Sequence, residues 1–259
     1  MSRERENEAP TGSLAKVRLL ARTPRDGRGR WFGIAIDVIW PIIMLCSRPV
    51  WRGKAHVPRT GPVLLAANHL SYVDPVTITA YVLAAGRIPR YLAKADLWRS
   101  PVGRRVMTDG KHMAVDRGEG GGTGGYREAL RAMQDGECIV VFPEGTFTSD
   151  PGGWPMAAQV GVARMALRTG TPVVPVAHWG GERFLPPGSR WPRLFSRIPI
   201  HIVAGPPVDL DDLRGGRLTA EVLQTATKRI MTAITAQLAE IRDEPPPADP
   251  SQPGQPAQP

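Results

Sequence analysis

The sequence predicts an α/β fold, a central mixed but largely parallel sheet flanked by helices, preceded by an amphipathic helical segment that docks on a membrane. Three observations carry this expectation. Short, continuous apolar runs such as Val63–Ala67 (VLLAA), Cys138–Phe142 (CIVVF) and Pro172–Ala177 (PVVPVA) are bounded by Gly and Pro, as strands buried on both faces are. Helical patterns alternate with these runs, which is the signature of strands joined by crossover helices. A length of 259 residues suits one domain that buries roughly 70–75% of its unfolded surface, enough to need no disulfide or metal staple.

Three regions follow in order: 1–54, 55–243 and 244–259. The first ten residues carry charges of both signs, and no apolar core follows closely enough for a secretory signal. Residues 31–46 (WFGIAIDVIWPIIMLC) are the most apolar stretch. They number 16, whereas a spanning helix needs ~20, and Asp37 and Pro41 interrupt them. Arg28 and Arg30 precede the stretch, and Arg48, Trp51, Arg52 and Lys54 follow it. Such flanks suit a helix lying in the membrane interface, with a core helix packed on the domain as the alternative.

From Gly61 onward strands and helices alternate. Val63–Ala67 reads as a strand, and Asp74-Pro75 opens a helix through about Ala85 with Asp74 as N-cap and Pro75 at N1. Tyr91–Ala93 and His112–Val115 are short strands, Tyr126–Gln134 a helix, and Cys138–Phe142 a strand. A helix over Val160–Arg168 stops at Gly170, and Pro172–Ala177 and Ile198–Val203 are further strands. Thr219–Asp243 is a long amphipathic helix. Residues 244–259 hold seven prolines with Gln, Ala and Ser, a composition that cannot build a core and predicts disorder.

Charge narrows the partners. There are 33 Lys and Arg against 24 Asp and Glu, a net charge of +9. Residues 1–54 hold 11 basic and 5 acidic side chains, so +6 of that excess surrounds the apolar stretch. No nucleic-acid reading module is recognisable, and the surplus fits an anionic lipid surface better than nucleic acid. Two cysteines, Cys46 and Cys138, exclude a disulfide scaffold and read as buried free thiols. His56, His112, His178 and His201 are scattered without metal-ligand spacing. Gly120, Gly122 and Gly125 satisfy G-x-G-x-x-G, but the run is glycine-saturated and lacks the acidic partner of a dinucleotide site.

Two constellations carry chemistry. Asn68-His69-Leu70-Ser71-Tyr72-Val73-Asp74 leaves the end of a buried strand, where ligands of α/β sheets commonly bind. A carboxylate five residues after a histidine can hold one ring N–H and leave the other nitrogen basic. A helix start at Asp-Pro beside a satisfied core histidine is the plainer reading of the same spacing. Phe142-Pro143-Glu144-Gly145-Thr146 also follows a strand, and offers a carboxylate, backbone N–H groups and a hydroxyl in a tight turn.

Taken together, these segments resemble the PlsC-type 1-acylglycerol-3-phosphate O-acyltransferase family. NHxSxxD is matched by Asn68, His69, Ser71 and Asp74, and FPEGT by Phe142 to Thr146. Two further motifs match Gly110-Lys111-His112-Met113-Ala114-Val115-Asp116-Arg117 and Val174-Pro175-Val176-Ala177, and Tyr91 to Asp96 looks like the linking segment. The resemblance runs from about Val50 to Pro207 and makes residues 55–243 an acyltransferase domain. It implies that His69, oriented by Asp74, is the general base on a glycerol hydroxyl that attacks acyl-CoA or acyl carrier protein directly. Arg117 then binds the acceptor phosphate, Glu144, Gly145 and Thr146 position the acceptor, Lys94 joins the binding residues, and Ser71 is structural. The partners are a lysophospholipid, an acyl thioester and the cytoplasmic face of the cell membrane, with no metal or cofactor. Phe147 and Gln159 stand where relatives often carry Arg and Lys, which opens the choice of another lysophospholipid, a glycolipid or an ornithine-type lipid as acceptor.

Overall fold

The computed structural model describes residues 23–115, 123–186, 189, 191–193 and 197–246. Seven strands form one sheet: β1 (Ser47–Arg52), β2 (Val63–Ala67), β3 (Pro89–Lys94), β4 (Met113–Val115), β5 (Cys138–Val141), β6 (Val173–Trp179) and β7 (Ile198–Ala204). Their spatial order is β1-β7-β6-β2-β5-β3-β4. Every neighbouring pair is parallel except β6 with β7.

The helices are α1 (Arg30–Cys46), α2 (Asp74–Ala84), α3 (Pro101–Asp109), α4 (Thr123–Gln134), α5 (Gly161–Thr169), the single turn α6 (Gly181–Phe184) and α7 (Ala220–Arg242). They sort by face because strand side chains alternate. Val63, Leu65 and Ala67 of β2 join a core with α1 and α2 (Ile36, Trp40, Ile78, Tyr81), while Leu64 and Ala66 point into a second core with α4, α5 and α7 (Met133, Met165, Ile230). This two-sided burial is why β2 is apolar throughout rather than alternating.

Helix ends follow local chemistry. Ser100 accepts from Gly103 N at 2.9 Å, with Pro101 at the first position of α3. Thr219 caps α7 through Val222 N, and α5 ends on Gly170 in the left-handed region.

Some expectations change. Strand β1 and helix α3 have no counterpart in the sequence reading. β1 is a six-residue edge strand whose Arg48 and Arg52 face out and whose Pro49 donates no ladder bond, so its signal is faint. α2 starts at Asp74 itself, with Val73 as its cap residue. Asp74 turns its carboxylate back into the preceding loop instead of capping its own helix. Cys46 is half-buried, because it sits at the end of α1 where the helix leaves the core, whereas Cys138 is fully buried. α1 packs on the domain through Phe32, Ile36, Trp40, Ile43 and Met44, which are buried, while Ile34, Val38, Ile42 and Leu45 lie in the open. No described helix is long and apolar enough to cross a membrane. Arg117, Gly120 and Gly122 lie outside the described residues, as does nearly all of the Pro-rich tail and the first 22 residues.

Candidate active site

β2 and β5 are adjacent and parallel, with Ala66 beside Val141, so the loops that follow them leave the sheet at the same end. That places His69 and Glu144, 75 positions apart, against each other. His69 N donates to Glu144 Oε1 at 3.1 Å, and Thr148 N donates to His69 O at 2.9 Å. Gly145 adopts φ 74°, which a turn this tight requires and which few side chains tolerate.

Asp74 is completely buried. Its Oδ2 lies 3.0 Å from His69 Nδ1 and accepts from Leu70 N at 2.6 Å and Ser71 N at 2.8 Å. An oxygen already aligned with two backbone N–H groups favours the tautomer that carries the His69 proton on Nδ1. The remaining nitrogen, Nε2, belongs to a ring that lines a cavity of about 640 Å³. Phe142 stacks on the imidazole at 4.0 Å between centroids, and Phe147 covers its other side at 4.2 Å. The two aromatic contacts fix the ring plane.

The cavity walls are mostly apolar. Ile36 and Ile39 of α1, Val76 of α2, Leu92 of β3 and Val106 of α3 contribute, and Tyr91 and His112 also line it. Burial, with Arg90 nearby, pushes the His112 pKa down to about 3, and its Nδ1 accepts from Tyr91 N, so this imidazole is neutral. Gly145, Thr146 and Lys94 border the same space. Lys94 is exposed at its rim and pairs with Asp96 at 2.6 Å.

Glu144 does not line the cavity. Its carboxylate accepts from His69 N and, at 3.0 Å, from Met156 N, so it holds the loop that carries His69. Burial pushes its pKa up to about 7. Ser71 is likewise structural, donating to Leu185 O at 2.7 Å. Gln159 is exposed.

The roles of two site residues escape sequence reasoning. Asn68 extends the β2 ladder with its side chain: Nδ2 donates to His178 O at 2.9 Å and Oδ1 accepts from His178 N at 2.8 Å. His178 itself, one of the scattered histidines, lies fully buried with Nδ1 3.3 Å from Asp74 Oδ1. No spacing could show this, because β6 is far from Asp74 in the chain and next to β2 only in the sheet.

The acyltransferase family model matches residues 48–179, about half of the chain. The chain belongs to the acyltransferase family. A 1-acyl-sn-glycerol-3-phosphate acyltransferase of Borreliella burgdorferi is 30% identical over 133 residues, 51% of this chain and 51% of that protein. The chain therefore spans about half the length of that curated relative. The enzyme of the same name from Bacillus subtilis is 25% identical over 61% of this chain and 73% of its own. An N-acylphosphatidylethanolamine synthase of Arabidopsis thaliana is 29% identical over 58% and 57%. The crystal structure of the 1-acyl-sn-glycerophosphate acyltransferase from Thermotoga maritima shares the fold, with a TM-score of 0.60 at 21% identity over 88% of this chain and 82% of that one. The family match encloses the loops of both His69 and Glu144.

Proposed function

We propose that the protein transfers a fatty acyl group from acyl-CoA or acyl carrier protein to the free hydroxyl of 1-acylglycerol-3-phosphate, forming phosphatidic acid. The observation that carries this reading is His69 Nδ1 at 3.0 Å from a buried Asp74, on a ring that borders an apolar cavity, in a member of this family. His69 Nε2 takes the proton of the acceptor hydroxyl. The oxygen attacks the thioester carbonyl carbon, the O–C bond forms and the C–S bond breaks. His69 then returns the proton to the departing thiolate. Asp74 stays ionised throughout and stabilises the transient imidazolium, as the acid of a Ser-His-Asp triad does. The thioester is itself activated, so the step calls for no metal or cofactor. The apolar cavity suits an acyl chain.

Arg117 supplies the planar fork that a phosphate calls for, and Thr146 and Lys94 lie where a polar headgroup would enter. The exposed apolar face of α1 rests on the cytoplasmic side of the cell membrane, as a monotopic helix does.

Mass spectrometry of products from 1-acylglycerol-3-phosphate and acyl thioesters tests the reading. Phosphatidic acid is expected from the wild type, and a folded His69→Ala variant should lose roughly 10²–10⁴-fold in kcat, the range of a general base. Near-full transfer by that variant defeats the mechanism.

A second acceptor is favoured by one observation: Phe147, where a cation would meet a phosphate, packs on His69 and Tyr72 instead. The name of the Arabidopsis relative points the same way, to acylation of a different lipid headgroup. Lysophospholipids with and without a terminal phosphate, offered in one mixture, separate the two readings by product.

A further inference from the structure

The carboxylate of Asp74 has two oxygens, and only one of them serves His69. Oδ2 receives three donors. Oδ1 is sealed from solvent and, among the described residues, receives no well-aligned hydrogen bond. The nearest basic atom is His178 Nδ1 at 3.3 Å, which is equally sealed and equally without an aligned partner. A buried carboxylate beside an imidazole is less favourable than apolar filling, so the pair is poorly explained as packing.

The surroundings choose the tautomer. His178 Nε2 lies 2.8 Å from Thr77 Oγ1. If Nε2 carried the proton, the Nδ1 lone pair would face a carboxylate oxygen at 3.3 Å, a repulsion inside a low-dielectric core. With the proton on Nδ1, Thr77 turns its single hydroxyl proton to Nε2 at 2.8 Å, in place of the longer contacts to Val73 O at 3.3 Å and Asp74 O at 3.1 Å. The strand position is fixed as well, since Asn68 grips both backbone polar groups of His178. Gly181 closes the pocket from α6: a Cβ there would stand 2.5 Å from His178 Cε1 and 2.7 Å from Asp74 Oδ1.

We infer that His178 is a positioning residue for Asp74, donating from Nδ1 to Oδ1 so that the carboxylate stays aimed at His69. The inference rests on the acyl-transfer reading for its catalytic consequence and on geometry alone for the tautomer. His178 stays neutral in this role. Burial lowers its proton affinity, and the other titratable groups around it are His69, Glu182 of α6 and His201 of β7, with Arg183 and Glu144 further out. Without the Nδ1 donor, Oδ1 is bare. Asp74 can then swing away from His69, and the base loses the carboxylate that fixes its tautomer and its aim.

Two measurements test this. The first needs no variant and no substrate: nitrogen-15 NMR of histidine-labelled full chain at neutral pH, with the His178 signal assigned by its loss in His178→Asn. A protonated Nδ1 and an unprotonated Nε2 are expected, and the opposite tautomer overturns the inference whatever the protein acylates. The second compares kcat and KM for His178→Leu and His178→Asn with the acyl thioester and lysophosphatidic acid. Leu should lower kcat about 10–100-fold and leave both KM values within about twofold. Asn, whose amide can donate from near the Nδ1 position, should recover most of the loss. A folded Leu variant with wild-type kcat, or an Asn variant no better than Leu, refutes the role. Failure of the acyl-transfer reading shows separately, as absence of product from the wild type while the NMR result stands.

Discussion

Glu144 holds its carboxylate between the N–H groups of His69 and Met156, and burial raises its pKa from 4.5 to about 7. An acid whose folded pKa lies above its unfolded value binds more protons when folded, so its contribution is complete below about pH 4.5 and fades as pH rises through about 7. The span corresponds to roughly 3 kcal/mol. In Glu144→Gln that slope disappears. Urea unfolding from pH 4.5 to 8 should show the wild type losing its advantage over the variant by about that amount, and a constant difference would refute the assignment. Asn68 makes a second test. Asn68→Ala strands the buried N–H and C=O of His178, at about 1–3 kcal/mol each, and denaturant midpoints should fall accordingly. The site was legible in part at this scale. His69 and Asp74 sit five apart on one turn, and local spacing can place such a pair. The engagement of Glu144 with backbone, and of Asp74 with His178, depends on which strands are neighbours, which spacing does not encode.

Elements impose their own constraints, and two glycines separate them. Gly181 faces His178 and Asp74 so closely that any Cβ must displace one of them. Gly181→Ala should cost about 1–3 kcal/mol of stability and, with the protein folded, a drop in kcat larger than any change in KM. Gly161 opens α5 with nothing within 4 Å of an added Cβ, so Gly161→Ala should raise stability by roughly 0.4–1 kcal/mol without touching turnover. Thermal unfolding beside initial rates distinguishes the two. The contrast also explains which elements the sequence revealed. β2, β5 and β6 are buried on both faces and announce themselves as unbroken apolar runs, and α7 shows a buried stripe from Leu223 to Leu238. β1 lies at an edge with arginines outward, and α3 buries no residue fully, so hydrophobic patterning had little to report for either. The antiparallel entry of β7 next to β6 is a matter of topology, invisible in any one segment.

Across the whole molecule, the open side of the cavity and the apolar surface coincide. Ile39 of α1 and Leu97 both line the cavity and stand exposed. Around them Val38 is 57% and Leu45 69% exposed on α1, and Val102 67% on α3. Arg99, Arg104 and Arg105 border this face, and the Arg105 guanidinium lies 5.3 Å from the centre of the Trp31 ring, joining α3 to α1. An apolar patch rimmed by arginines at the mouth of a lipid-sized cavity fits a bilayer with anionic headgroups, which attract about 1 kcal/mol per basic residue near the surface. Val38→Glu with Leu45→Glu replaces two side chains that would each contribute about 1.5–3 kcal/mol on burial in lipid and adds two repelled charges. Cosedimentation with phosphatidylglycerol-containing vesicles should therefore weaken by at least about 10²-fold, while far-ultraviolet circular dichroism is unchanged because neither residue is in the core. Raising salt should weaken wild-type binding to anionic vesicles only partly, since the apolar share is insensitive to screening. Retention of full vesicle binding by the double variant would refute α1 as the proposed docking surface.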